Sequence, residues 1–187
     1  MENSRGASAL SPSYRIALGG VISSLSIFAM FLTGVLPSFY LALPMLAGGL
    51  LLVIVADIGI KWGFVTYAAI SLLSIIITPD KEAALMFIIF YGYYPSLKPI
   101  IERLKCKLLR LPVKLLVFNA AMVLDYKITV FVLGVDELMK ELAEYGKYAL
   151  PILLIVLNIT FIAYDALLRG YMSLYKNYFK PRFLRKN

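Results

Sequence analysis

Long apolar stretches dominate this sequence, and their length is the strongest constraint on how the chain can fold. About six of them approach the roughly 20 residues that a helix needs to cross a bilayer whose hydrocarbon core is ~30 Å thick. Nearly all charged residues lie in the short segments between these stretches. Apolar side chains make up 61% of the 187 residues, well above the usage of soluble domains. The pattern therefore predicts an all-α integral membrane protein.

The same stretches predict a bundle of six transmembrane helices in a single domain, since they leave room only for tails and short loops. A tight turn is expected at 61–63, a kink near Pro95 or Pro99, and a short amphipathic helix on the membrane surface over 135–144. The polar tails are predicted at 1–14 and 170–187. The predicted spans cover about 16–36, 41–60, 64–78, 83 to the basic residues that begin at 98, 111–134 and 148–168.

The basic residues favour an orientation with both termini in the cytoplasm. In that orientation, fifteen of the 19 Lys and Arg residues lie on the cytoplasmic side and three on the outer side, while Lys127 falls within a span. This bias is the usual mark of orientation in multi-span proteins. The net charge of +8 arises beside the spans, where membrane lipids with anionic headgroups are the natural partner. Nucleic acid is not expected as a partner.

The sequence lacks the residues that several kinds of active site require. It contains no histidine and a single cysteine, Cys106, which excludes histidine-based catalysis, cysteine metal clusters and an intrachain disulfide. No nucleotide-binding loop of the form G-x-x-x-x-G-K-[ST] occurs. Asp80 and Glu82 are a pair within a turn, and Asp125 has no second acid nearby in the sequence. We therefore expect no catalytic residues, no metal site, no cofactor and no enzymatic activity.

Polar side chains inside the apolar spans are candidates for ligand binding, because charges within a bilayer are costly and often functional. Asp125 and Lys127 fall in the outer half of the fifth span, on different sides of a regular helix. Asn119 and Tyr126 share one face, and Asn158 lies near mid-depth in the sixth span. Structural alternatives stay open: Lys127 can reach the outer headgroups, and the others can bond to neighbouring helices.

Three further groups of polar residues have simpler explanations. The outer turn 79–82 carries Asp80, Lys81 and Glu82; capping of the fourth helix would account for Asp80 and Glu82, and the alternative is that the charged turn closes a pocket. Asp165 lies four residues before Arg169, so an ion pair within the sixth helix explains it better than a binding site. An aromatic belt at the inner membrane surface is predicted for Tyr91, Tyr93 and Tyr94.

The first span carries small residues at helical spacing. These residues are Ala17, Gly19, Gly20, Ser23 and Ser24. Small residues four apart allow two helix backbones to approach closely. The sequence leaves open whether this face packs inside the bundle or docks onto another membrane subunit.

The topology and the stretch at 15–26, RIALGGVISSLS, resemble the substrate-binding (S) subunits of energy-coupling factor transporters, which are prokaryotic importers of vitamins and other micronutrients. The helix-1 motif of that family is typically alanine-based, whereas this chain has glycine and serine. The resemblance implies a binding site on the outer side. Together with the polar residues of the spans, it gives these substrate-binding candidates: Tyr40, Asp80, Lys81, Glu82, Asn119, Asp125, Tyr126, Lys127 and Asn158.

The resemblance implies a membrane-embedded binding subunit for uptake of a small, vitamin-like nutrient across the inner (plasma) membrane of a prokaryote. Because the chain has no nucleotide-binding loop, energy would come from a transmembrane coupling subunit and ATPase subunits. Partner docking would use the small residues of the first span. The alternative from another class is a non-catalytic structural or scaffold membrane protein of the cell envelope, whose polar residues bond only between helices.

Overall fold

The computed structural model describes residues 11–133, 148–175 and 177, and these ranges contain helices and turns but no strand. The prediction of an all-α fold is confirmed for this part of the chain. Its six longer helices are α1 Pro12–Phe31, α2 Ala42–Asp57, α3 Ile60–Ile77, α4 Lys81–Ile101, α5 Arg110–Ile128 and α6 Ala149–Leu174.

Four of these helices are long and apolar enough to cross a membrane: α1 with its extension to Gly34, α3, α4 and α6. Helix α2 is apolar but has only 16 residues, and α5 begins with basic residues. The helices are thus compatible with a multi-pass membrane protein. That all six cross the bilayer, with both termini in the cytoplasm, stays a prediction.

The helix ends differ from the predicted ones where local capping decides them. Ser11 accepts a hydrogen bond from the Tyr14 amide and Pro12 occupies the first turn, so α1 begins before the predicted residue 16. The predicted turn at 61–63 is wrong, because Gly59 makes the turn instead. Its φ of 122° suits a residue without Cβ, and α3 starts at the next residue.

Helix α4 is irregular in its middle. Asp80 caps its N-terminus, since the Glu82 and Ala83 amides donate to Asp80 Oδ1 over 3.0 and 3.1 Å. The segment Phe87–Tyr91 then winds as a π-helix, and regular α-helix resumes at Tyr94 with a proline in its first turn. Regular α-helix is therefore interrupted just before Pro95, while the kink predicted near Pro95 or Pro99 stays a prediction. Proline is tolerated there because its missing N–H lies in the first turn.

Helix α4 lies at the centre of the bundle, and its aromatic residues form the core. Tyr91 is 2% exposed and Tyr94 fully buried. Phe90 stacks on Tyr94 and meets Phe118 of α5 and Phe161 of α6 edge to face. The predicted aromatic belt is therefore wrong for Tyr91 and Tyr94. Both lie inside the protein because neighbouring helices surround α4 on its inner half.

The two ends of the bundle can be told apart by their contacts. We call the end where α1 begins and α6 ends the inner end, after the predicted orientation; there Tyr14 of α1 and Tyr175 just after α6 both donate to Asp57 of α2. At the opposite end, which we call the outer end, Gly34 lies directly against Pro79 in the α3–α4 turn. Helices α1, α2 and α3 therefore run in alternating directions.

The helix predicted over 135–144 lies outside the described residues. Helix α1 starts at Pro12 and α6 continues to Leu174, so residues 12–14 and 170–174 of the predicted tails are helical. The boundaries of the tails stay a prediction.

Candidate functional site

Asp125 is the candidate binding residue with an unfilled hydrogen-bonding position. It lies one turn before the outer end of α5 and is 7% exposed. Among the described residues, nothing donates a hydrogen bond to its buried Oδ1 atom. Glu82, in the first turn of α4, lies near enough to interact electrostatically with it, as does Tyr91. A buried carboxylate oxygen in this state calls for a hydrogen-bond donor.

The other outer candidates differ in their relation to this residue. Glu82 interacts electrostatically with Asp125, whereas Tyr40 interacts electrostatically with Tyr91. Helix α5 is regular through Asp125, so Lys127, two residues on, points elsewhere and is exposed. Tyr126 is half-buried on a third side.

Asp80 and Lys81 serve the α3–α4 turn. Asp80 is the N-cap described above. The Lys81 ammonium donates to the Ile75 and Thr78 carbonyls, each over 2.9 Å, and so satisfies acceptors left over at the end of α3. Asp80 thus caps α4, as one of the two alternatives for the turn predicts, whereas the bonds of Lys81 to the end of α3 were not predicted.

Asn119 and Asn158 bond to each other across the α5–α6 interface. Asn119 Nδ2 donates to Asn158 Oδ1 over 2.9 Å, and Asn158 Nδ2 donates back over 3.2 Å. Each Nδ2 also donates to the carbonyl four residues earlier, on Leu115 and Leu154. Both amide groups thereby use all their N–H donors, which is the interhelical bonding that the sequence offered as an alternative.

A buried ionic cluster lies at the inner end, and it was not predicted as a unit. We call it the inner cluster: Tyr94, Lys98, Glu102, Lys114 and Asp165. Lys98 Nζ is 2.7 Å from Asp165 Oδ1, and Lys114 Nζ is 3.0 Å from both carboxylate oxygens. Tyr94 donates to Oδ1 over 2.6 Å. One carboxylate of α6 therefore bonds to α4 and α5 at once.

The charges of the inner cluster are nearly balanced. Two buried ammonium groups share the buried carboxylate of Asp165, and the half-exposed Glu102 lies 3.1 Å from Lys114. The predicted Asp165–Arg169 pair exists at 3.7 Å but is exposed on the arginine side. Shielding from water makes the lysine contacts the stronger ones, so Asp165 mainly binds other helices and the predicted explanation was incomplete.

Sequence reasoning missed this cluster because its members are far apart in the chain. Lys98 and Lys114 read as cytoplasmic basic residues flanking a loop, and Asp165 had a local partner. The one local signal was the spacing of four between Lys98 and Glu102, which places both on one face of a helix. Nothing local indicates that Asp165 lies between the two lysines.

The small residues of α1 face away from the bundle. A Cβ atom added to Gly19 or Gly20 would meet nothing within 4 Å. Ala17, Gly20 and Ser24 are exposed, while Ile22 on the opposite face is buried. The described bundle therefore leaves Ala17, Gly20 and Ser24 outside its packing, while Gly19 and Ser23 are half-buried.

Comparison with protein-family models, with curated proteins and with solved structures gives no match. Within the ranges that the structure describes, no three His, Cys, Asp or Glu side chains are placed to hold a metal ion.

Proposed function

We propose that this protein is a membrane-embedded binding subunit for a small water-soluble nutrient, which it takes up together with an energising partner. The observation that carries the proposal is the buried Oδ1 atom of Asp125, which accepts no hydrogen bond from a described residue. A donor group on a bound molecule would satisfy it. Glu82, in the first turn of α4, interacts electrostatically with Asp125, which supports entry of the molecule from the outer end of the bundle.

Two further features support uptake with partners in trans. The chain has no nucleotide-binding loop, so it cannot draw on ATP by itself through such a site. The exposed small residues of α1 offer a surface that another helix could approach closely. These features match the expectation drawn from the substrate-binding subunits of energy-coupling factor transporters, with a transmembrane coupling subunit and ATPases as partners.

The test combines ligand detection with one matched pair of variants. Native mass spectrometry of the freshly purified protein should show a retained small molecule. A panel of water-soluble vitamins should contain one that raises the melting temperature. At a hundredfold excess over its Kd, that compound should add about 2.7 kcal/mol to the free energy of unfolding. Asp125→Asn should weaken that ligand about 10- to 150-fold, as expected for a hydrogen bond to a charged group, while the exposed Lys127→Gln should not.

Failure would have a clear form. If no molecule is retained, no compound shifts the melting temperature, and co-expression recovers neither a multi-span partner nor ATPases, the binding-subunit proposal is wrong. If a ligand binds but Asp125→Asn leaves its affinity unchanged, the site lies elsewhere in the bundle.

One observation favours a second function, a structural scaffold of the cell envelope. The Asn119–Asn158 pair and the Asp80 and Lys81 caps use polar groups entirely for internal bonds. In a scaffold, Asp125 would have the same purely structural role. Asp125→Ala would then change stability but no uptake activity, and no nutrient would change the melting temperature.

A further inference from the structure

The loop between α4 and α5 combines exposed cations with exposed leucines. We call residues 103–111 the basic loop. Arg103, Lys105 and Lys107 are exposed, and in the described part of the chain none of them forms an ion pair. Its four leucines are exposed as well, and Leu108 reaches 86%. Apolar side chains in such positions are unfavourable in water, so their exposure requires an explanation.

The structure separates this loop from the lysines that flank it in the sequence. Lys98 and Lys114 are buried against Asp165 in the inner cluster and cannot reach an external partner. The Arg110 guanidinium donates to the Leu104 carbonyl over 2.9 and 3.2 Å, which closes the loop on itself. Three cations therefore remain available at the surface of the loop.

The position of the loop decides between partners. It follows the inner end of α4 directly and leads into α5, so it lies at the depth where a membrane-spanning helix leaves the hydrocarbon. At that depth leucine side chains can enter the boundary between headgroups and acyl chains, while Lys and Arg reach the phosphates. An acidic protein would match the charges but not explain Leu108 and Leu109 at the membrane surface.

We propose that the basic loop is a binding site for anionic phospholipid headgroups. Arg103, Lys105 and Lys107 bind the lipid phosphates, and Leu108 and Leu109 insert beside the acyl chains. Each cation close to an anionic surface raises the binding constant for that surface about fivefold. The site is independent of the nutrient proposed above, because it lies at the opposite end of the bundle from Asp125.

A fluorescent label on Cys106 can test this proposal, because Cys106 lies in the basic loop, is exposed and is the only cysteine of the sequence. The full chain is labelled there with an environment-sensitive fluorophore and placed in phosphatidylcholine vesicles with or without phosphatidylglycerol. We expect a blue shift and stronger quenching by shallow lipid-attached quenchers as the anionic fraction rises, and loss of both effects in high salt.

Two charge-matched double variants sharpen the test. Lys105→Gln with Lys107→Gln should lower the ratio of membrane-bound to water-exposed label roughly thirtyfold in anionic vesicles, from about fivefold per charge. Lys61→Gln with Lys127→Gln removes the same charge from two other exposed sites and should leave the ratio unchanged. Leu108→Ser should reduce quenching at every lipid composition.

The proposal is overturned if the label remains accessible to iodide in water at every lipid composition. It is also overturned if both double variants respond alike, because the effect would then reflect total charge rather than this loop. A label that is shielded only after an acidic soluble protein is added would assign the loop to a protein partner instead.

Discussion

Asp165 links three helices through its buried carboxylate. Its oxygens accept from Tyr94, Lys98 and Lys114, which lie on two other helices. Removing this carboxylate would leave the two buried ammonium groups with only the half-exposed Glu102 as a counter-charge. The inner ends of three helices therefore depend on one side chain.

We predict that Asp165→Asn lowers the free energy of unfolding by about 3–5 kcal/mol, because it keeps the shape but leaves Lys98 and Lys114 with only the half-exposed Glu102 as a counter-charge. Arg169→Gln is the control. It removes the exposed partner of the same carboxylate and should change the free energy by less than about 1 kcal/mol. Unfolding in mixed micelles with increasing SDS measures both. Equal effects of the two variants would contradict the role given to the buried lysines.

The amide pair can be tested by a double-mutant cycle. Asn119→Ala and Asn158→Ala each remove both of the reciprocal bonds between α5 and α6, since either side chain is a donor in one bond and the acceptor in the other. We predict a coupling energy of about 0.6–1.7 kcal/mol between the two substitutions, the range found for hydrogen bonds between membrane helices. Strictly additive losses of stability would mean that the two side chains do not bond in the membrane.

The helices could be predicted from the sequence, but which helices pack against each other could not. Apolar length predicts α1, α3, α4 and α6 because both lipid and protein interior require internally satisfied backbones. Hydropathy does not distinguish these two surroundings, so the central position of α4 and the burial of Tyr91 and Tyr94 went unpredicted. Asp125 could be named as a candidate from the sequence because a single acid within an apolar span stands out there. The cluster of Lys98, Lys114 and Asp165 could not, because its members come together only in the folded bundle.

The close packing of α2 on α4 gives a prediction about glycine. A Cβ atom on Gly48 would overlap the Tyr91 carbonyl, whereas one on Gly20 of α1 would meet nothing within 4 Å. We expect Gly48→Ala to destabilise the protein by about 1–3 kcal/mol through overpacking. Gly20→Ala should be neutral or stabilise by up to about 1 kcal/mol, since alanine favours a helix. Unfolding of both variants in SDS measures the two changes in stability. If Gly20→Ala destabilised the protein more than Gly48→Ala, α2 would not pack closely on α4.

The bundle as a whole has two chemically different ends. The inner end has the ionic cluster, the basic loop and the Asp57 contacts, while the outer end has Asp125, Glu82 and the α3–α4 turn. Such asymmetry is what the excess of basic residues on one side requires of a protein in a membrane. It also places the proposed nutrient site and the proposed lipid site at opposite faces.

The predicted orientation can be measured through Cys106. We expect a membrane-impermeant maleimide to label it in inside-out vesicles but not in intact cells, because the basic loop would face the cytoplasm. A Cys106→Ser protein carrying Lys81→Cys should show the opposite pattern, since the exposed residue 81 lies in the α3–α4 turn at the outer end. Labelling of Cys106 in intact cells would show that the topology is the opposite of the predicted one.

The contacts of Asp57 bear on how the protein is made. Its tyrosine partners, Tyr14 and Tyr175, lie 43 residues before and 118 residues after it. During synthesis α1 and α2 can pack early, so Tyr14 can reach Asp57 soon after both are made. The contact with Tyr175 can form only after nearly the whole chain has left the ribosome. Shortening the protein before residue 175 would thus leave the earliest-made helices without the contact that completes their inner ends.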